Sequence, residues 1–217
     1  MGFIAHNKGG EDFAPVPAGV FIARCYELID LGTQTEESGQ YAGNVNHKIR
    51  IGFEILDKDS EGKPLTITVD NVEKPMAISK TYTMSMSEKS NLRKDLAAWR
   101  GKQFSDDEAD AFDVSKLLGA FCMLNITHKV SGKGKTYANI SGISPIPSAL
   151  KDMKPKPFNK DRMFDLDKPD MDMFNAFPDF IKEMIRKSPE WMKLNGGSAP
   201  PASAPKGFDD FEDDIPF

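Results

Sequence analysis

The sequence predicts a mainly β fold: five strands forming a small barrel, a helix between the third and fourth strands, an additional C-terminal helix and a disordered acidic tail. Three observations predict it. Short β-rich runs alternate apolar and polar residues with a period of two, one well-capped helical run interrupts them, and no βαβ alternation calls for a parallel sheet.

The elements follow in order. Residues 19 to 34, GVFIARCYELIDLGTQ, are rich in β-branched and aromatic residues and end in a polar cluster, as a long first strand would. HKIRIGFEILD, 47 to 57, sets Ile49, Ile51, Phe53 and Ile55 on one face and Lys48, Arg50, Gly52 and Glu54 on the other, so a half-buried second strand is expected with its cations outside. Asp57 to Pro64 reads as a turn. MAISKTYTM, 76 to 84, then puts Ile78, Lys80, Tyr82 and Met84 on one side of a third strand.

Ser85 and Glu88 have capping-box spacing, and Leu92, Leu96 and Trp99 recur at helical intervals until Gly101 stops the helix. Ser105 and Glu108 repeat the cap spacing at the head of DDEADAFDVSKLLGA, where another turn or two of helix is expected. FCMLNITHKV, 121 to 130, and KTYANISGISPI, 135 to 146, are joined by a Gly/Lys turn and read as a hairpin with a basic loop. This order, with a helix between the third and fourth of five strands, is that of the OB-fold, a partly open barrel that often holds oligonucleotides on its second and third strands.

Composition changes after residue 150. KDMKPKPFNKDR reads as an extended connector, and Phe174, Phe177, Ile181 and Met184 mark an amphipathic helix that docks on the barrel or on a second subunit, with Pro178 in its first turn. GGSAPPASAPKG, 196 to 207, cannot bury a core and reads as a disordered linker. The expected domains are 1–150 for the barrel, 151–195 for connector and helix, and 196–217 for linker and acidic tip.

The net charge of −5 is unusual for a nucleic-acid binder, but its distribution matters more than its sum. Residues 1 to 157 hold 20 basic and 20 acidic side chains, residues 158 to 200 hold 7 and 8, and residues 201 to 217 hold 1 and 5. The tail thus carries almost all of the excess. No apolar run is long enough to span a membrane and the start has no secretory pattern, so a cytoplasmic protein is expected. Cys25 and Cys122 lie in apolar strand runs, too far apart for a metal knuckle, and read as small core residues.

The last residues, GFDDFEDDIPF, place Asp209, Asp210, Glu212, Asp213 and Asp214 before Ile215, Pro216 and Phe217. An apolar tip beside carboxylates suits a basic-rimmed apolar pocket on a partner. The DDIPF ending resembles the C-terminal tip of bacterial single-stranded DNA-binding proteins, which implies docking onto replication, recombination and repair proteins and competition with DNA for the basic groove. The body lacks the opening pattern of that bacterial family and has a longer strand-to-helix segment. Residues 87 to 108 and 112 to 147, through their LRKDL-WRG, LLG and YANI elements, instead resemble OB-fold single-stranded DNA-binding proteins of bacteriophages and prophages. Together they imply a phage-type binder in a bacterial host cell, carrying a host-style tail.

Binding single strands without sequence preference needs cations that follow phosphates and rings on which any base can stack. The strand readings nominate Lys48, Arg50, Lys80, Tyr82, Lys129, Lys133, Lys135 and Tyr137 for one groove, with Arg93, Lys94, Trp99 and Arg100 of the helix as secondary candidates. The bland counterparts are a solvated strand face for the cations, core filling for the tyrosines and Trp99, and ordinary helix-surface charge for the rest.

No catalytic reading competes. His6, His47 and His128 are scattered, and Asp106, Asp107, Glu108 and Asp110 at a helix start suit the helix dipole better than a metal-dependent nuclease, so no enzyme activity, metal or cofactor is expected. The serious alternative is a recombination mediator or interaction module whose OB-fold grips protein. Convergence of Lys48, Arg50, Lys80 and the 131–135 loop on one groove separates the two.

Overall fold

A computed structural model describes residues 14–37, 41–69, 71–132, 134–153 and 155–196. The first strand, β1 (Gly19–Thr35), runs on into β2 (Val45–Ile55), the short hairpin β3 (Thr66–Val69) and β4 (Val72–Pro75), and β5 (Ala77–Thr83). Two helices follow, α1 (Asn91–Arg100) and α2 (Asp106–Asp110), and then the hairpin β6 (Phe121–Val130) and β7 (Thr136–Ser144). A last strand, β8 (Arg162–Phe164), precedes α3 (Met171–Ala176), α4 (Asp179–Lys187) and α5 (Pro189–Leu194).

The main sheet has the order β5-β2-β1-β6-β7, antiparallel throughout, with β8 added in parallel to β1. The path is open: β5 and β7 approach each other, but no ladder joins them among the described residues. β1 holds this path together because its length serves two partners. Its first residues, Gly19 to Arg24, pair with β6, and Ala23 to Thr35 pair with β2. A bulge at Tyr26 and another at Leu31 bend the strand between these duties.

Register divides the sheet into two faces, since side chains alternate along each strand. Cys25, Leu28, Ile49, Ile51, Phe53, Tyr82, Leu124 and Ile126 turn inward to one large core, closed at its end by Leu92, Leu96 and Trp99 of α1. The helix is placed by its caps: the Ser90 hydroxyl accepts from Arg93 N, and Gly101 turns left-handed at φ 69° to end it. Ser90 therefore takes the capping role that spacing assigns to Ser85. The Ser105–Glu108 capping box forms as expected. Both cysteines are fully buried, and burial pushes the Cys25 thiol up to about 12.

The outer face departs from the sequence expectation. A second core packs Ile29 and Leu31 of β1 against Phe164, Leu166, Phe174, Phe177, Ile181 and Ile185. The expected single helix is three short ones, broken where Pro178 starts α4 and Ser188 caps α5. They dock on β1 of their own chain, close enough that a Cβ at Gly32 would fall 2.6 Å from the Ser188 Cβ and 2.8 Å from Leu166. The connector opens with a 3-10 turn, Ser148–Met153, rather than extended as expected, and is then pinned. Glu54 accepts from Arg24 at 2.6 Å and from Asn159 N and Nδ2 at 2.9 and 2.8 Å, while Arg24 also pairs with Asp161.

Candidate nucleic-acid interface

The register decides which nominated residues share a face. Lys48, Arg50, Gly52 and Glu54 alternate outward on β2, and Lys80 and Tyr82 pair with Ile51 and Ile49 on the inward side of β5. Lys48 and Arg50 therefore cannot share a groove with Lys80 and Tyr82. Lys48 is not on a solvated face either: it is 4% exposed, and its ammonium lies 2.8 Å from Glu36 and 3.1 Å from Thr83 Oγ1. The expectation fails because β2 is covered on both sides, which a period-two pattern cannot reveal.

On the inner face, Asp95 of α1 receives both Lys80 Nζ and the Tyr82 hydroxyl at 2.7 Å. Tyr82 is buried, and burial, reinforced by Asp95, raises its hydroxyl well above the ordinary range. It is a core residue and offers no stacking surface. Trp99 is likewise core, its ring against Phe53 at 5.6 Å and its indole N–H donating to Phe121 O at 3.0 Å. Arg93 braces the helix by donating to Met86 O and Phe104 O, and Arg100 lies 3.9 Å over the Phe104 ring and pairs with Glu108. Lys94 is exposed on α1.

The β6–β7 hairpin forms where the sequence places it. Lys129 stands directly opposite Tyr137 on the outer face, with Lys129 exposed and Tyr137 half-buried, and Lys135 is exposed beside the turn. Lys133 and the whole acidic stretch Asp209, Asp210, Glu212, Asp213, Asp214, Ile215, Pro216 and Phe217 lie outside the described residues. The hairpin and Arg50 belong to the same sheet face but not to one spot. Ile126 is opposite Gly19 and Arg50 opposite Ile29, ten residues along β1, or roughly 30 Å at about 3.3 Å per residue.

Around Arg50 the structure assembles residues that spacing does not nominate. The guanidinium lies 5.4 Å from the centroid of Phe180 on α4, and Arg162 of β8 lies 5.6 Å over the ring of Tyr26. Glu27 sits between them, ion-paired to Arg162 and stretched over Gly52, where a Cβ would come within 2.9 Å of Glu27 Oε2. Burial lowers the Arg50 guanidinium from its ordinary value, opposed by the negative field of Glu27. It stays charged, as a guanidinium does in proteins. Burial raises the Tyr26 hydroxyl, partly offset by Arg162. The one sequence signal of this cluster is Gly52, a glycine at an outward strand position that marks a close approach.

At the far end of β1, His47 bridges two elements. Its Nε2 is 2.7 Å from Asp30 Oδ1 and its Nδ1 is 3.7 Å from Glu190 of α5, which accepts from Thr33 N and Oγ1. Among the described residues no group of His, Cys, Asp and Glu is arranged to hold a metal ion, and no helix is long and apolar enough to cross a membrane. No family model matches the chain, and a search of curated proteins finds no match.

Proposed function

We propose that this chain is an OB-fold protein that binds single-stranded DNA without sequence preference, protecting strands during replication, recombination or repair. In this reading it has no catalytic turnover and works in the cytoplasm of a bacterial host cell. The single observation that carries it is the outward face of one sheet, where Arg50, Lys129 and Tyr137 point the same way along β2, β6 and β7. The strand order and the placement of α1 between β5 and β6 support the fold assignment, because an OB barrel has this path and a helix at this point. Residues 209–217 recruit partner proteins in this account, on the strength of their sequence alone.

A protein-gripping module is the second reading, favoured because Lys48 and Arg50 do not converge on one groove with Lys80, and because Lys48 pairs with Glu36 and Lys80 with Asp95. Both pairings take cations away from phosphate. The hairpin lysines separate the two readings. Replacing Lys129 and Lys135 together by Ala should lower the slope of log affinity for oligothymidylate against log salt by about 0.7 for each phosphate no longer neutralised. An unchanged slope, with DNA still bound, removes the hairpin from the interface, and absence of DNA binding in the unmodified chain favours the protein module.

A further inference from the structure

We infer that Tyr26 and Phe180 form a two-ring stacking platform for unpaired bases on the outer sheet face, built jointly by β1 and the C-terminal helices. This rests on the single-strand reading above and adds to it a specific surface that the five barrel strands do not contain by themselves.

The inference starts from where the rings stand. On α4 the buried positions are Ile181 and Ile185, one helical turn apart, which face the second core. Phe180 lies beside that stripe and is 52% exposed. A lone exposed phenylalanine needs no explanation, but this ring lies against the Arg50 guanidinium, which sets its orientation on the sheet face. Tyr26 is held in a matching way. It is the extra residue of a β-bulge, unopposed on β2 because Cys25 faces Phe53 and Glu27 faces Gly52. Bulges re-aim side chains, and here the re-aimed ring lies under Arg162.

The parts are linked. Glu27 pairs with Arg162 and so holds the guanidinium that lies over Tyr26. Gly52 leaves the room that this carboxylate fills. Each ring is thus backed by a planar cation on one side. A base has a flat face of its own, so stacking on such rings is tolerant of sequence. The ligand class that fits a pair of rings each faced by a guanidinium is an unpaired nucleotide segment. A duplex hides its base faces.

The test uses the full chain, a labelled oligothymidylate and an abasic oligomer of the same length. Phe180→Ala should weaken oligothymidylate binding by about 5- to 100-fold, the range expected for loss of one base–aromatic stack. Phe180→Tyr should restore it, and binding of the abasic oligomer should be the same for all three proteins. A thermal melt that matches the unmodified chain shows that the half-exposed position has not disturbed the fold. If the unmodified chain binds oligothymidylate and Phe180→Ala binds it equally well, the platform is wrong while the single-strand reading stands. If affinity for the abasic oligomer falls in parallel, Phe180 acts through the shape of α4 and the stacking claim is likewise overturned. If the unmodified chain binds no single strand, the single-strand reading falls and takes this inference with it.

Discussion

On the inner face of β2, Ile49, Ile51, Phe53 and Ile55 pack into an apolar core shared with β1, β5, β6 and α1. On the outer face of the same strand, Lys48, Gly52 and Glu54 are just as far from water, but what covers them is polar and comes from elsewhere. Glu54 is enclosed by Arg24 and Asn159, more than a hundred residues downstream in the latter case, and Lys48 by Glu36 and Thr83. The inner face is held by area removed from water, which tolerates small changes. The outer face depends on complete pairing, since a buried charge left without its partner is costly.

The largest effect is expected from Ile181→Ala, about 2–5 kcal/mol from the cavity left in the second core. Hydrogen exchange should then rise in β8 and α3–α5 with β6 and β7 protected as before; a uniform rise joins the two cores into one cooperative unit. Next in size, the comparison is broken most directly at Glu54. Glu54→Ala leaves Arg24 with only Asp161 and Asn159 O and orphans the Asn159 donors, and should cost about 2–3 kcal/mol in chemical denaturation. A loss below about 1 kcal/mol, the value of an exposed pair, means that the outer face is wetter than described.

Tyr82→Phe sharpens the contrast between the faces. It removes a hydrogen bond to the Asp95 carboxylate and should cost about 1.5–3 kcal/mol, while single-strand affinity stays unchanged because Tyr82 lies on the inner side. A drop in affinity with stability intact would move the interface to the inner face. The smallest effect belongs to His47. Its pKa is raised, chiefly by the hydrogen bond to Asp30 against the pull of burial. Its contribution is therefore complete below the ordinary 6.5 and is lost as pH rises through the raised value. Glu190 behaves oppositely. Burial opposes its ionisation, but the Thr33 hydrogen bonds outweigh this and lower its pKa, so its contribution is complete above 4.5 and is lost as pH falls. Thermal melts between about pH 5.5 and about pH 8.5 should lose at most about 1 kcal/mol on the alkaline side, and His47→Gln should flatten that loss. A variant that keeps the full alkaline loss shows that His47 and its contact with Asp30 are not its source.

What was legible in the sequence follows the same division. Period-two alternation places β2 and β5, β-branched and aromatic runs between turns place β1, β6 and β7, and the stripe of Leu92, Leu96 and Trp99 places α1, because these signals are local. The hairpin Thr66–Pro75 escapes notice because its strands are four residues each and polar at the surface. β8 has three residues and no pattern to read. At the candidate site, Arg50 is outward as alternation predicts, whereas Lys48, Lys80, Tyr82 and Trp99 have partners that alternation cannot name. Tyr26, Arg162 and Phe180 come together only through a bulge and a docked C-terminal segment, so no spacing in the chain brings them to mind.

The central claim is tested by fluorescence anisotropy with labelled oligothymidylate at low and moderate salt, competed by unlabelled oligothymidylate and by duplex of equal length. The account predicts tight binding that weakens steeply with salt and that duplex displaces poorly, because the face offers rings to bases and cations to one backbone. Absence of binding at low salt, in the full chain and in a chain lacking residues 208–217, would contradict it, as would displacement by duplex as effective as by single strand.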